Sequence, residues 1–249
     1  MNLLIEAYRS SPLPFWLLGS VVAYALATNL LWLWRNGPSW HSPHARFALE
    51  ALRLSYFLGL PYLALGGWPR QPLQGLLSLT DLGIVSLSPA WPVTRWLGAI
   101  GLGLVLGTVA LLILVLAWSH ARRGEPEQRL QLPARPWWAL LIEGLYQQVH
   151  WAFYRSILAL LLGGLYAGTF WGLVLVYVEW AANPFWRGGW RSGTGAADQW
   201  LYAALALVSA LVFLLTRNLV VCLGVHWLIS LSLWHTGRAR PATAPIEPD

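Results

Sequence analysis

The sequence predicts an all-α fold, a polytopic transmembrane helical bundle of seven or eight helices, and three observations carry that prediction. Of its 249 residues 57% are hydrophobic and only 10% are charged, and the mean hydropathy is +0.53, a balance far from that of an ordinary soluble domain. The apolar residues come in long blocks. The block from Trp96 to Trp118 alone would extend about 34 Å as a helix, enough to cross a hydrocarbon core of about 30 Å, with a Trp at each end where an interfacial belt places one. The basic residues are all arginine and fall mainly between the blocks, as topological anchors do.

The apolar spans run from Pro14 to Trp34, Phe47 to Leu65, Trp96 to Trp118, Trp137 to Phe153, Ile157 to Ala181, Trp200 to Leu215 and Leu219 to Trp234. In the first span an Ala25-Leu26-Ala27 triplet imitates a signal-cleavage site, but hydrophobicity continues to Trp34, which favours a retained helix. A further stretch, Leu73 to Ser88, has Asp81 at its middle and is bracketed by Pro72 and Pro89, so it crosses, re-enters or lies in the interface. Between Phe153 and Ile157 a short turn is expected, with Arg155 capping it.

Orientation survives the uncertainty in helix number. The loop from Ser119 to Pro136, the loop from Ala182 to Asp198 and the tail carry Arg122, Arg123, Arg129, Arg135, Arg187, Arg191, Arg238 and Arg240 on one side under either number. By the positive-inside rule that side is cytoplasmic. The expectation is a multi-pass protein of the bacterial cytoplasmic membrane: a single transmembrane domain over 1–235 and a disordered cytoplasmic tail over 236–249. The formal charge of +6 is thus read as contact with anionic membrane lipids, and nucleic acid is excluded as a partner. The lone cysteine, Cys222, excludes an internal disulfide and a cysteine-based zinc cluster.

Small residues at four-residue spacing, Gly164, Gly168 and Gly172, predict a face where two backbones approach closely; Gly103 and Gly107 repeat the spacing.

Polar residues inside the apolar spans cost free energy in lipid, so they mark where the interior has a task. Glu143, Gln147, His150 and Tyr154 lie at intervals of four, three and four, one stripe of a helix, with Gln148 and Arg155 on its flank. Glu179, with Tyr177 close by, stands near the end of the following span; its plainest alternative is an interfacial acid paired with Arg187. In the last span Asn218, Cys222, His226 and Ser230 form a second row. Two polar rows and an acid on three consecutive spans predict one shared cavity. For each histidine the simpler alternative is an interhelical hydrogen bond, for Glu143 a neutral acid donating to a neighbouring helix, and for Cys222 plain packing. Glu50 and Arg53 are expected to neutralise each other.

Other motifs fall away on context. Gly193-Thr194-Gly195 has no preceding strand, as a phosphate cradle needs. His41 and His44 lack a nearby carboxylate or cysteine to complete a metal site, and the Arg- and Trp-rich stretch from Pro184 to Arg191 reads as a headgroup loop.

The segment from Thr216 through Arg217, Asn218 and Cys222 to His226 resembles the last motif region of the CAAX protease and bacteriocin-processing (CPBP) family of intramembrane proteases. The resemblance covers about Trp137 to Trp234. It implies an earlier helix with paired glutamates and a following arginine, where this chain has Gln147-Gln148, with Glu143 one turn earlier and Arg155 farther along than the family pattern has it. It also implies an aromatic residue and a histidine where Leu175 and Glu179 stand, and an asparagine where Ser230 stands; His226 is retained. In the mechanism implied by the family, glutamate and histidine activate water while polar side chains hold the oxyanion. Glutamine cannot act as that base, so an active peptidase would use Glu143 or Glu179, with His226 orienting water and Gln147 and Ser230 donating hydrogen bonds. A pseudoenzyme of the same fold is the matching expectation.

The alternative from another class is a non-catalytic subunit of a respiratory or photosynthetic membrane complex. It would pack against other membrane-protein subunits, lipid, quinone or pigment, with His150 or His226 as an axial ligand to haem or a chlorophyll-type magnesium. A transporter with a protonatable Glu143 or Glu179 lacks the inverted repeat that would support it.

Overall fold

A computed structural model describes residues 12–37, 40, 42–66, 92–124, 136–190 and 193–238. The stretch Leu73 to Ser88, His41, most of the arginine loop after Ser119 and the tail from Arg240 lie outside the described residues. Within them every regular element is helical: α1 (Leu13–Trp34), α2 (Pro43–Leu54), a π turn (Ser55–Gly59), α3 (Leu60–Gly66), α4 (Val93–Gly124), α5 (Trp137–Leu162), α6 (Leu165–Ala182), the short α7 (Pro184–Gly189), α8 (Gly193–Thr216) and α9 (Leu219–Arg238). Four helices are long and apolar enough to cross a membrane: α1, the Val93–Ala117 part of α4, α6 and the Asp198–Thr216 part of α8.

The polar helix α5 runs through the middle. It packs most extensively on α6; α1, the π turn and α3 lie against it, and so does α9. The helices α8 and α4 complete the α9 flank. Consecutive residues on a helix point about 100° apart, so α5 presents one row to the α1 and π-turn flank and another to α8 and α9.

The expected turn between Phe153 and Ile157 does not form. Helix α5 continues to Leu162 and ends where Gly163 adopts φ 68°, a left-handed conformation that glycine takes without steric penalty; the Gly164 N–H then closes on the Ala159 carbonyl at 3.1 Å. Arg155 therefore caps nothing. It is buried two turns before the helix end, with its guanidinium 4.1 Å from the Phe213 ring centroid and Nη1 3.5 Å from the Ser209 carbonyl.

Behind that turn α6 lies directly on α5. A Cβ at Gly168 would collide with the Ala159 backbone, and one at Gly172 would come 3.0 Å from the Arg155 nitrogen, whereas one at Gly164 meets nothing within 4 Å. The close-packing face thus consists of Gly168 and Gly172, while Gly164 serves the turn. Gly103 and Gly107 of α4 abut Val221 and Val225 of α9.

The π turn follows from Pro61. With no N–H, that residue cannot bond back to the Phe57 carbonyl, and the ladder relaxes into a wider turn in which the Leu60 N–H reaches Ser55 O. Tyr56 and Phe57 lie in this turn. At the start of α9, Asn218 Oδ1 accepts from the backbone N–H of Val220 at 2.9 Å and Val221 at 3.2 Å, an N-cap that begins the helix carrying His226.

Candidate functional site

Glu179 is 2% exposed, near the C-terminal end of α6. Its Oε2 lies 2.8 Å from His150 Nε2, and its Oε1 accepts from both Tyr56 OH and Tyr154 OH. Ser20 of α1 sits behind the phenols, with Oγ 3.0 Å from Tyr56 OH and 2.9 Å from Tyr154 OH. One carboxylate thereby joins α1, the π turn, α5 and α6. The interfacial pair with Arg187 is corrected: among the bonds of Glu179, Arg187 does not occur. Nor is Tyr177 part of the cluster; its hydroxyl donates to the Ala203 carbonyl of α8 at 3.1 Å.

The 2.8 Å contact holds one proton between His150 Nε2 and Glu179 Oε2. Its other ring nitrogen, Nδ1, is buried without a hydrogen-bond partner.

Two turns toward the start of α5, Glu143 accepts from Arg53 Nη2 and, through Oε1, from Gln147 Nε2 at 3.1 Å. Glu143 is thus an acceptor, which corrects the expected neutral donor. Arg53 also reaches Glu50 at 3.2 Å, so the predicted Glu50–Arg53 pair forms but extends to a third residue. The amide oxygen of Gln147 is buried and unpartnered.

These groups line a cavity of about 830 Å³. Its rim carries exposed Trp138 and Glu50, so it opens at the end of the bundle where α5 begins, and it runs inward to His150 and Glu179. From Trp138 to His150 is about 18 Å along the helix. Aromatic residues form the walls, among them Tyr24, Phe57, Tyr146, Trp151, Trp180 and Trp186, with Trp180 and Trp186 stacked at 4.4 Å.

The second polar row lies on the opposite flank. Gln148 is fully buried; its Nε2 is 3.2 Å from His226 Nδ1, and its Oε1 accepts from Ser209 Oγ at 2.8 Å. Cys222, one turn before His226, is buried with Sγ 3.7 Å from the Ser209 carbonyl. Ser230 is buried one turn beyond His226. Neither His226 nor Ser230 is among the cavity-lining residues. Of the predicted site residues, Glu143, Gln147, His150 and Glu179 therefore share one hollow, while His226 and Ser230 stand on the other side of α5.

For an axial ligand, each histidine has one nitrogen engaged: Nε2 of His150 by Glu179, and Nδ1 of His226 by Gln148. Among the described residues no group of three His, Cys, Asp or Glu side chains gathers as a metal site requires. Ser20, Tyr56 and the cationic link through Arg53 had no signal in the polar stripes. The only hint was their chemistry: hydroxyl and guanidinium groups inside apolar blocks.

Fold and site together define an all-α bundle, apolar enough in four helices to cross a membrane, with a carboxylate–histidine pair at the inner end of an aromatic cavity. No protein-family model, curated protein or solved structure matches the chain.

Proposed function

We propose that this chain is a CPBP-like protein of the bacterial cytoplasmic membrane that holds an amphipathic molecule in its cavity and performs no hydrolysis at the position where that family carries its base. The supporting observation is the pair on the far side of α5: where the resemblance puts a glutamate, the buried Gln148 amide bonds to His226 and to Ser209. An amide takes no proton from water at that position. The carboxyl group of Glu179 is itself committed to three hydrogen bonds. What the cavity offers is a long aromatic slot with polar groups at both ends, the character of a site for an amphiphile. By the arginine distribution its mouth lies on the cytoplasmic side, facing the inner leaflet.

The test is native mass spectrometry of the gently extracted protein, comparing wild type with Ala139→Trp, which obstructs a wall of the cavity. A co-purifying amphiphile that disappears in the variant is expected. Absence of any bound amphiphile in wild type would sink the reading.

A second reading rests on His150 and Glu179, which occupy the cavity as an oriented base would. Here the protein is a peptidase with a relocated pair, and cleavage of a peptide library by wild type, lost in Glu179→Gln, would establish it over the first.

A further inference from the structure

One side of the cavity mouth is held more loosely than the rest. Helix α2 supplies Glu50 and Arg53 to the lining, yet of its 12 residues only Ala45 is buried, and none of its side chains joins the hydrophobic core or packs against it. Among the described residues, its polar side-chain links to another helix run through one residue: Arg53 donates to Glu143 of α5 and lies 5.8 Å from the Tyr146 ring centroid.

Both ends of α2 are anchored. After it, in the π turn, Tyr56 bonds to Ser20, Tyr154 and Glu179, and the Phe57 ring stacks on Tyr146 at 6.0 Å. Before it, Trp40 stacks on Phe185 at 6.3 Å and meets Trp34 edge-on at 5.5 Å. Helix α2 is thus a strap fixed at both ends and latched once between them. A segment with so few buried apolar contacts opens locally at little cost. The latch also releases into a waiting partner, because Glu50, one turn before Arg53 on the same helix, already holds the guanidinium at 3.2 Å.

The outer face of the strap is apolar at its centre. Phe47, Ala51 and Leu54, at intervals of four and three, form a stripe opposite Leu49 and Arg53. All three are exposed, Phe47 at 77%. His44 and Glu50 flank the stripe, the pattern of a helix at the boundary between headgroups and acyl chains.

We infer that the seam between α2 and α5 is a lateral portal through which an amphiphile passes between the inner leaflet and the cavity, with the Arg53–Glu143 bond as its latch. This rests on the amphiphile-binding reading and adds the route.

Full-length protein in lipid nanodiscs serves for the test. By hydrogen-exchange mass spectrometry, residues 43–54 should exchange about fivefold faster in Arg53→Ala than in wild type, as loss of a part-exposed ion pair warrants, with α5 and α6 unchanged. The charge swap Arg53→Glu with Glu143→Arg should restore slow exchange. Isotopically labelled monoolein, an uncharged probe, is then followed on and off the protein by native mass spectrometry. A gate speeds arrival and departure together, so Arg53→Ala should raise both rates and leave the equilibrium occupancy unchanged; loss of a ligand contact would lower the occupancy. A nitroxide on Phe47→Cys, in a Cys222→Ser background, should be relaxed more by oxygen than by a water-soluble nickel chelate. Unchanged exchange over 43–54, or loosening shared by α5 and α6, overturns the latch. Faster exchange there with monoolein rates unchanged, or with occupancy lost, overturns the portal and leaves the cavity reading standing, and a nitroxide relaxed chiefly by nickel overturns the lateral route. Retention of no monoolein by wild type overturns both the portal and the cavity reading.

Discussion

Glu179 and His150, from successive helices, meet Oε2 to Nε2 at 2.8 Å with both side chains 2% exposed, and the second carboxylate oxygen takes the hydrogen bonds of two tyrosines. This is the most connected polar group in the bundle core, and its removal strands three hydrogen-bond partners at once. In membrane proteins an interhelical side-chain hydrogen bond contributes about 0.6–2 kcal/mol. Glu179→Ala is therefore expected to cost roughly 2–5 kcal/mol, since the stranded groups stay buried. Glu179→Gln should keep most of the stability: its amide oxygen still accepts from the tyrosines, and its NH₂ donates to His150 once the ring proton moves to Nδ1. Melting curves in one detergent measure both, and equal losses for Ala and Gln would refute this account.

At the cavity rim the same chemistry should count for less. Arg53 and Glu143 are paired, but their side chains are 38% and 20% exposed, and Glu50 gives Arg53 a second partner. Glu143→Ala is expected to lower stability by about 1 kcal/mol or less. A loss comparable to that of Glu179→Ala, measured in the same melts, would show that the rim is as closed as the floor.

The glycines of α6 offer a comparison within one helix. Gly168→Val drives a branched side chain into the Ala159 backbone, with an expected penalty of at least 1–3 kcal/mol for overpacking, roughly speaking. Gly164→Val meets open space, and the φ of −157° there is extended backbone open to any residue. Expression level and melting temperature should fall for the first and hold for the second.

Arg155 is a buried cation whose Nε and Nη2 lack partners. Its fixed contacts are one long bond to the Ser209 carbonyl and the Phe213 ring. An uncompensated buried charge is a net cost that an apolar side chain of similar length avoids. Arg155→Met is expected to melt at or above the wild-type temperature, and a marked fall would mean that the charge meets an anionic partner.

How much of this was legible in the chain differs from residue to residue. The row Glu143, Gln147, His150, Tyr154 was visible because helical spacing is written into the sequence, and Glu179 because an acid interrupts an apolar run. Their partners were not visible: Arg53 is 90 positions from Glu143, Tyr56 123 from Glu179, and Ser20 134 from Tyr154, and no local period links them. The expected single cavity failed for a similar reason. Gln147 and Gln148 are neighbours in sequence, yet one residue turns the helix by about 100°, so the first faces the cavity and the second faces α9. The misplaced turn near Arg155 came from treating an arginine as an interfacial residue, when the left-handed glycine eight positions later was the physical stop signal.

That rotation also decides what happens if the missing glutamate is put back. Gln148→Glu places a carboxylate where Ser209 Oγ can still donate to it and where His226 can supply a proton from Nδ1, so the substitution recreates a glutamate–histidine contact of the kind the CPBP resemblance implies. The side chain is isosteric and both new bonds are available, so the variant should fold. Catalysis needs more than the pair, because water and a peptide must reach it, and neither Gln148 nor His226 lines the cavity. Gln148→Glu is therefore expected to cleave no peptide in a library assay, alone or combined with Gln147→Glu. Cleavage by either variant would show that the α8–α9 flank opens to substrate, and cleavage by Gln148→Glu alone would show that the wild-type protein is a hydrolase disabled by a single amide.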